Sequence, residues 1–194
     1  MTHIWSSKHE FKNFIADNPG ICIGTLGPQG TSCDHTLNIL LNGMPEANRS
    51  KVLINNFDDV FSSLNERRID IAMVPAAYTH ITEFFWASDF LLIGTIVSKT
   101  PDYHFAKSIG VEKVRRIASC AAVEHMLKDQ FAHCVQGPYE LLPGLSTLAS
   151  ALDVVEGRAD ACITNDGGIR GVQLDIIHTQ KGVDMLWSFF RRKE

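Results

Sequence analysis

The chain has 194 residues, 45% of them hydrophobic and 21% charged, which suits a soluble domain with a real core and excludes disorder, collagen-like repeats and a disulfide-stapled miniprotein. Lys and Arg number 18 against 22 Asp and Glu, for a net charge of -4, so the basic footprint of a nucleic-acid or anionic-membrane binder is missing. Apolar runs such as Phe90 to Val97 fall far short of the roughly 20 residues that span a bilayer, and Met1 to Glu10 lacks the apolar region of a signal peptide. A cytoplasmic protein with a small-molecule or protein partner, no nucleic acid and no membrane is expected, with a homodimer left open.

Phe11, Phe14 and Ile15 have helical spacing and are stopped by Asn18-Pro-Gly20, predicting a short leader or capping helix. Ile21 to Leu26 reads as a strand, Gly27-Pro-Gln-Gly-Thr-Ser32 as a Gly-rich turn, and Leu37, Leu40 and Leu41 as the apolar face of a helix. Val52 to Ile54 then begins a strand, Phe57 to Arg67 forms an amphipathic helix, and Ile69 to Val74 forms a strand that ends at Pro75. This alternation predicts an α/β fold with largely parallel strands. After the cluster Phe84, Phe85 and Trp86 comes a long strand, Phe90 to Val97, and a polar elbow, Ser98-Lys-Thr-Pro-Asp-Tyr103. The same grammar then restarts: strand Arg116 to Ser119, helix Val123 to Phe131, strand Cys134 to Gln136, helix Thr147 to Glu156 and strand Ala159 to Ile163. The loop bracketed by Gly137-Pro138 and Pro143-Gly144 is a candidate cover for a site. Two small α/β lobes with a ligand in the cleft between them are the simplest architecture, lobe 1 taking about 20–95 plus 182–194 and lobe 2 about 96–181.

The five cysteines, at 22, 33, 120, 134 and 162, are odd in number and form no C-x-x-C pair, so they are expected to be reduced and to act as small hydrophobes. Cys120, His125, His133 and Cys134 are an alternative metal set, but they lack tight paired spacing, and no metal is expected. Within the turn, Gly27 and Gly30 permit close backbone approach, and Thr31 stands three residues before Asp34 as in a capping box. The N–H groups at such a helix start can receive a ligand carboxylate or phosphate; an ordinary capped turn has the same spacing. Tyr78 follows a strand end where α/β ligands collect, and it can bond a substrate or simply pack there. Lys99, Thr100, Tyr103 and His104 put a cation, hydroxyls and an imidazole on one elbow, while Ser119 has the position of a helix cap. G-x-S-x-G is absent, and the eight histidines cannot be given roles by sequence.

Leu26-Gly-Pro-Gln-Gly-Thr-Ser32, Phe57-Asp-Asp-Val-Phe61, Ala72-Met-Val-Pro75 and Ala159-Asp-Ala-Cys-Ile-Thr-Asn165 together resemble the catalytic domain of prephenate dehydratase, from about residue 20 onward. That resemblance implies a two-lobed, periplasmic-binding-protein type II-like α/β fold with prephenate in the interlobe cleft. The family's Thr-Arg-Phe motif has no equivalent in Val183 to Phe190, and the length leaves no room for the family's regulatory ACT domain. Thr25 to Ser32, Val74 to Tyr78, Thr100 to Tyr103, Thr164-Asn165 and Met185 to Phe190 are more similar to the non-aromatizing prephenate decarboxylases of the bacilysin, aeruginosin and salinosporamide pathways.

The resemblance implies a carbon–carbon lyase of specialised antibiotic or peptide metabolism that converts prephenate to a dihydro-4-hydroxyphenylpyruvate. No cofactor is needed, because the substrate's 1,4-cyclohexadiene accepts the electrons. Gly30, Thr31 and Ser32 are the expected partners of the pyruvyl carboxylate. Tyr78, Thr100 and Tyr103 are expected to orient the ring and its hydroxyl, Lys99 to offset charge, and Trp187 to desolvate the departing carboxylate. His80 and His104 match no family motif and receive no role. The alternatives are a dehydratase giving phenylpyruvate and a non-catalytic binding module.

Overall fold

The computed structural model describes residues 4–194; the first residues of the stretch read for a signal peptide, His3 among them, lie outside it. The described chain divides into two units, one comprising residues up to Gln29, Cys33–Thr100 and Asp184–Glu194, the other Gly30–Ser32 and Pro101–Val183.

The first unit contains α1 (Lys8–Asp17), β1 (Ile23–Leu26), α2 (Ser32–Leu41, except Ser32, which belongs to the second unit), β2 (Lys51–Ile54), α3 (Phe57–Asn65), β3 (Ile71–Pro75), α4 (Ile81–Trp86) and β4 (Phe90–Lys99). Local chemistry starts these helices: Ser7 and Glu10 form a reciprocal capping box on α1, and the Asn56 side chain accepts the Asp59 N–H at the head of α3. The apolar stripe foreseen at Phe11 and Ile15 is fully buried, so α1 packs into the core of this unit. Just before it, Trp5 lies against Phe189, with ring centroids 4.7 Å apart. A Cβ on Gly94 would collide with the Trp5 indole, so that glycine makes room for the aromatic side chain.

The second unit adds β5 (Tyr103–Lys107), β6 (Arg116–Ser119), β7 (Glu140–Pro143), α5 (Thr147–Val155), β8 (Ala161–Asn165) and β9 (Asp175–Gln180); β10 (Asp184–Arg192) returns to the first. Each unit has a five-stranded sheet, ordered β2-β1-β3-β10-β4 in one and β7-β6-β8-β5-β9 in the other. In both, the first three strands run parallel and the last two antiparallel to their neighbours. The fold is therefore α/β as expected, but its sheets are mixed. The difference comes from β4, β5, β9 and β10, whose pairing partners are distant in sequence and leave no local signal.

Two expected elements are corrected. Val123 to Phe131 is not an α-helix: it contains a 3-10 turn at Glu124–Leu127, with Met126 N–H bonded to Val123 O at 3.0 Å, and a second turn follows at Ala132–Cys134. Val123, Met126, Leu127 and Phe131 are nevertheless buried, so the apolar spacing served core packing without a continuous i to i+4 ladder. The strand expected at Cys134 to Gln136 lies instead at Glu140–Pro143, where Leu141 and Leu142 pair with Ile117 and Ala118. Gly137, at φ 82°, turns the chain between the two places. The supposed covering loop is thus largely this strand. No helix among the described residues is long and apolar enough to cross a membrane.

Candidate active site

The second unit gathers a polar cluster around the Gly-rich turn. Gly30 has φ 91°, a left-handed conformation that favours glycine, and a Cβ on Gly167 would collide with the Gly30 carbonyl. Both positions therefore need glycine, one for its backbone and the other for close approach. The turn delivers Ser32 so that its hydroxyl lies 2.8 Å from that of Tyr103. Tyr103 opens β5 and is in register with Asn165 at the end of β8, and the Asn165 amide N–H donates to Ser32 Oγ at 3.4 Å. Asn165 is fully buried, and its Oδ1 accepts the Gly168 N–H at 2.9 Å, which fixes the direction of its amide. Thr31 is buried beside this group.

The next residue of β5 centres a second network. His104 is 5% exposed, with Nδ1 at 2.9 Å from Thr179 Oγ1 and Nε2 at 3.1 Å from Asp166 Oδ1. Asp166 Oδ2 accepts the Asp102 N–H at 3.0 Å, while the Asp166 N–H donates to Asp102 O at 3.2 Å. Asp102 in turn takes the Lys181 ammonium at 2.7 Å and the Gly182 N–H at 2.9 Å, and these two contacts hold its carboxyl below the usual range.

The remaining expected residues belong to the first unit. Tyr78 follows β3, packs on Phe57 with ring centroids 4.4 Å apart, and donates its hydroxyl to Asp58 Oδ1 at 3.1 Å. Burial, then the Asp58 carboxylate beside it, push the phenol up to about 12, so it is a protonated donor at neutral pH. Lys99 is exposed and pairs with Asp184 at 3.2 Å, which compensates its charge locally. Thr100 is buried at the end of β4. Trp187 is 1% exposed within the first unit's core, its indole N–H directed at Ser98 O at 3.4 Å. Ser119 ends β6, and its hydroxyl donates to Cys120 O instead of capping a helix.

The structure thus joins Ser32 to Tyr103, with Gly30 and Thr31 in the same turn, and places Tyr78, Lys99, Thr100 and Trp187 among separate partners in the first unit. Sequence reasoning missed Gly167, Asp166 and Thr179, and it named His104 on the elbow after β4 without a signal for its role. For Gly167 a signal existed, since Asn165-Asp-Gly-Gly168 directly after an apolar strand is a turn signature. His104 had none, because Asp166 and Thr179 lie 62 and 75 positions away. Among the described residues, no group of His, Cys, Asp and Glu could hold a metal ion.

No protein-family model matches the chain. A prephenate decarboxylase from Planktothrix agardhii is 30% identical over 191 residues, covering 89% of each chain. In fold, the chain is similar to a prephenate dehydratase from Arthrobacter aurescens solved with L-Phe, at TM-score 0.64 and 18% identity, covering 90% of this chain and 61% of that one. The chain thus spans about three fifths of the dehydratase. A candidate methionine-binding lipoprotein from Bacillus subtilis also shares the fold, at TM-score 0.57 and 12% identity over 89% of this chain and 83% of its own. The architecture is therefore that of prephenate dehydratase catalytic domains and type II periplasmic binding proteins, and the extent of the curated match places the chain in the prephenate decarboxylase family.

Proposed function

We propose that the protein decarboxylates prephenate without aromatizing it. The observation that carries this reading is the match to a prephenate decarboxylase along nine tenths of both chains. In the reaction, the bond from the ring carbon to its carboxylate breaks and CO2 leaves. The electron pair becomes a new ring double bond, the adjacent alkene shifts, and its far carbon, beside the hydroxyl-bearing carbon, takes a proton. The hydroxyl stays, so no aromatic ring forms. The diene itself is the electron sink. The protein's tasks are to hold the dianion, to set the ring against a proton source and to leave the hydroxyl without an acid that would expel it.

The turn of Gly30, Thr31 and Ser32 supports binding of the non-reacting pyruvyl carboxylate, since backbone N–H groups at the start of α2 and the Ser32 hydroxyl suit an anion. Tyr103, held by Ser32, is suited to hydrogen-bond the ring hydroxyl. Tyr78 and Thr100 are proposed to assist orientation, Lys99 to offset charge and Trp187 to supply an apolar wall. The β10 segment has Trp187-Ser188-Phe189 and no Thr-Arg pair, which favours decarboxylation over dehydration. The cysteines, all free among the described residues, support a cytoplasmic setting, and burial, which pushes the Cys33 and Cys162 thiols up to about 12, makes those two unreactive packing groups.

The reading is tested by incubating the protein with prephenate at neutral pH and following CO2 and proton NMR. Equimolar CO2 and a product without aromatic protons are expected. Phenylpyruvate would make it a dehydratase, and unchanged prephenate a binding module.

A further inference from the structure

His104 is buried, has both ring nitrogens engaged, and follows Tyr103 on the same strand. An ionised Asp166 carboxylate can only accept, so Nε2 carries the hydrogen toward Asp166, and in the neutral ring Nδ1 accepts the Thr179 hydroxyl. The two arms reach different parts of the unit. Thr179 lies on β9, next to β5. Asp166 lies in the turn after β8, immediately beyond Asn165, and that turn also contains Gly167 against Gly30 and Gly168 bonded to Asn165 Oδ1.

The Asp166 side chain is 49% exposed, so water could solvate its carboxylate without a buried imidazole. Its two oxygens instead go to His104 and to the Asp102 N–H, and its own N–H goes to Asp102 O, which fastens the turn to the start of β5 at three points. Asn165 reaches Ser32 at 3.4 Å, near the limit of a hydrogen bond, so a small shift of the turn breaks that contact.

We propose that His104 is a positioning residue: through Nε2 it holds Asp166, and with it the Asn165–Gly168 turn that aligns Asn165 with the Ser32–Tyr103 pair. The proposal rests on the decarboxylase reading of that pair. Misalignment of a polar group by a fraction of an ångström to 1 Å costs about 10- to 100-fold in rate, and the loss falls on kcat when binding is retained by other contacts.

Paired substitutions separate the two arms. His104→Gln places an amide nitrogen near Nε2 and keeps the Asp166 contact, whereas His104→Asn places its polar atoms near Nδ1 and keeps the Thr179 contact. His104→Asn is expected to lower kcat about tenfold or more with KM changed less than about threefold, and His104→Gln to recover most of that loss. Asp166→Ala, at a half-exposed side chain, should reproduce His104→Asn and decides the matter if that variant does not fold. Exchange of the Gly168 amide should accelerate about tenfold in Asp166→Ala. Equal loss in the Gln and Asn variants, or wild-type kcat in Asp166→Ala, overturns the proposal. If the wild-type protein leaves prephenate unchanged, the decarboxylase reading fails, and Gly168 exchange alone then decides: acceleration retains the hold of His104 and Asp166 on the turn, and unchanged exchange rejects it.

Discussion

Ser32 and Tyr103 place their hydroxyls 2.8 Å apart across 71 positions of sequence, one at the head of α2 and the other at the start of β5. The pair is a shared device, so removing either hydroxyl should cost nearly as much as removing both. Ser32→Ala and Tyr103→Phe are each expected to lower kcat/KM with prephenate about tenfold or more, and the double variant to fall well short of the product of the two losses. Steady-state CO2 release in all four proteins gives the coupling, and strict additivity would mean that the two hydroxyls act independently.

Gly167→Ala tests the packing beneath that pair. The new Cβ meets the Gly30 backbone, which has no flexible end to move aside, so the turn must open. A loss of about 100-fold in kcat/KM is expected with the folded core intact, because a site shifted by about 1 Å loses that much. Near-wild-type turnover with unchanged circular dichroism would show that the glycine contact is dispensable.

Much of the first half of the fold was legible because its signals are local. The apolar spacing of α2 and α3, the short strands between them, and the turn residues after Leu26 all announce themselves within about a dozen residues. The return of β10 between β3 and β4 has no such signal, since Phe189 pairs with Met73 and Gly94 from far along the chain. The segment after Ser119 misled for the opposite reason. Its apolar residues repeat at helical intervals, yet burial by successive 3-10 turns satisfies them equally. At the site, residue type singles out Gly30, Thr31, Ser32 and Tyr103, and it puts His104 on the same elbow without a role, because that role depends on Asp166 and Thr179.

Tyr78 makes a pH-dependent contribution whose sign follows from its raised phenol. Its phenol is raised in the folded protein, up to about 12, from an unfolded value near 10, so the folded state retains the proton that the unfolded chain loses. The stability it contributes is complete below pH of about 10 and is lost as pH rises toward about 12. Urea midpoints measured from pH 9 to 11.5, about the range of tyrosine titration, should therefore fall less steeply in Tyr78→Phe than in wild type. Parallel curves would contradict the raised phenol, which burial and then the Asp58 contact produce.

Trp187 distinguishes packing from catalysis. Trp187→Phe removes the indole N–H directed at Ser98 O and leaves space in the core, and a stability loss of about 1–3 kcal/mol is expected. Thermal unfolding gives that loss, and kcat at a temperature where the variant is folded gives the other half. A kcat within about twofold of wild type assigns the residue to packing, whereas a loss of about tenfold or more assigns it to the apolar wall proposed for the departing carboxylate.

The most direct test of the central claim is turnover of prephenate in deuterium oxide at neutral pH, read by NMR. The decarboxylase account predicts a non-aromatic product that keeps the carbinol centre and gains one deuterium at the ring carbon beside it, with CO2 released in equal amount. Phenylpyruvate, formed with loss of the ring hydroxyl and without deuterium entering the ring, would contradict it.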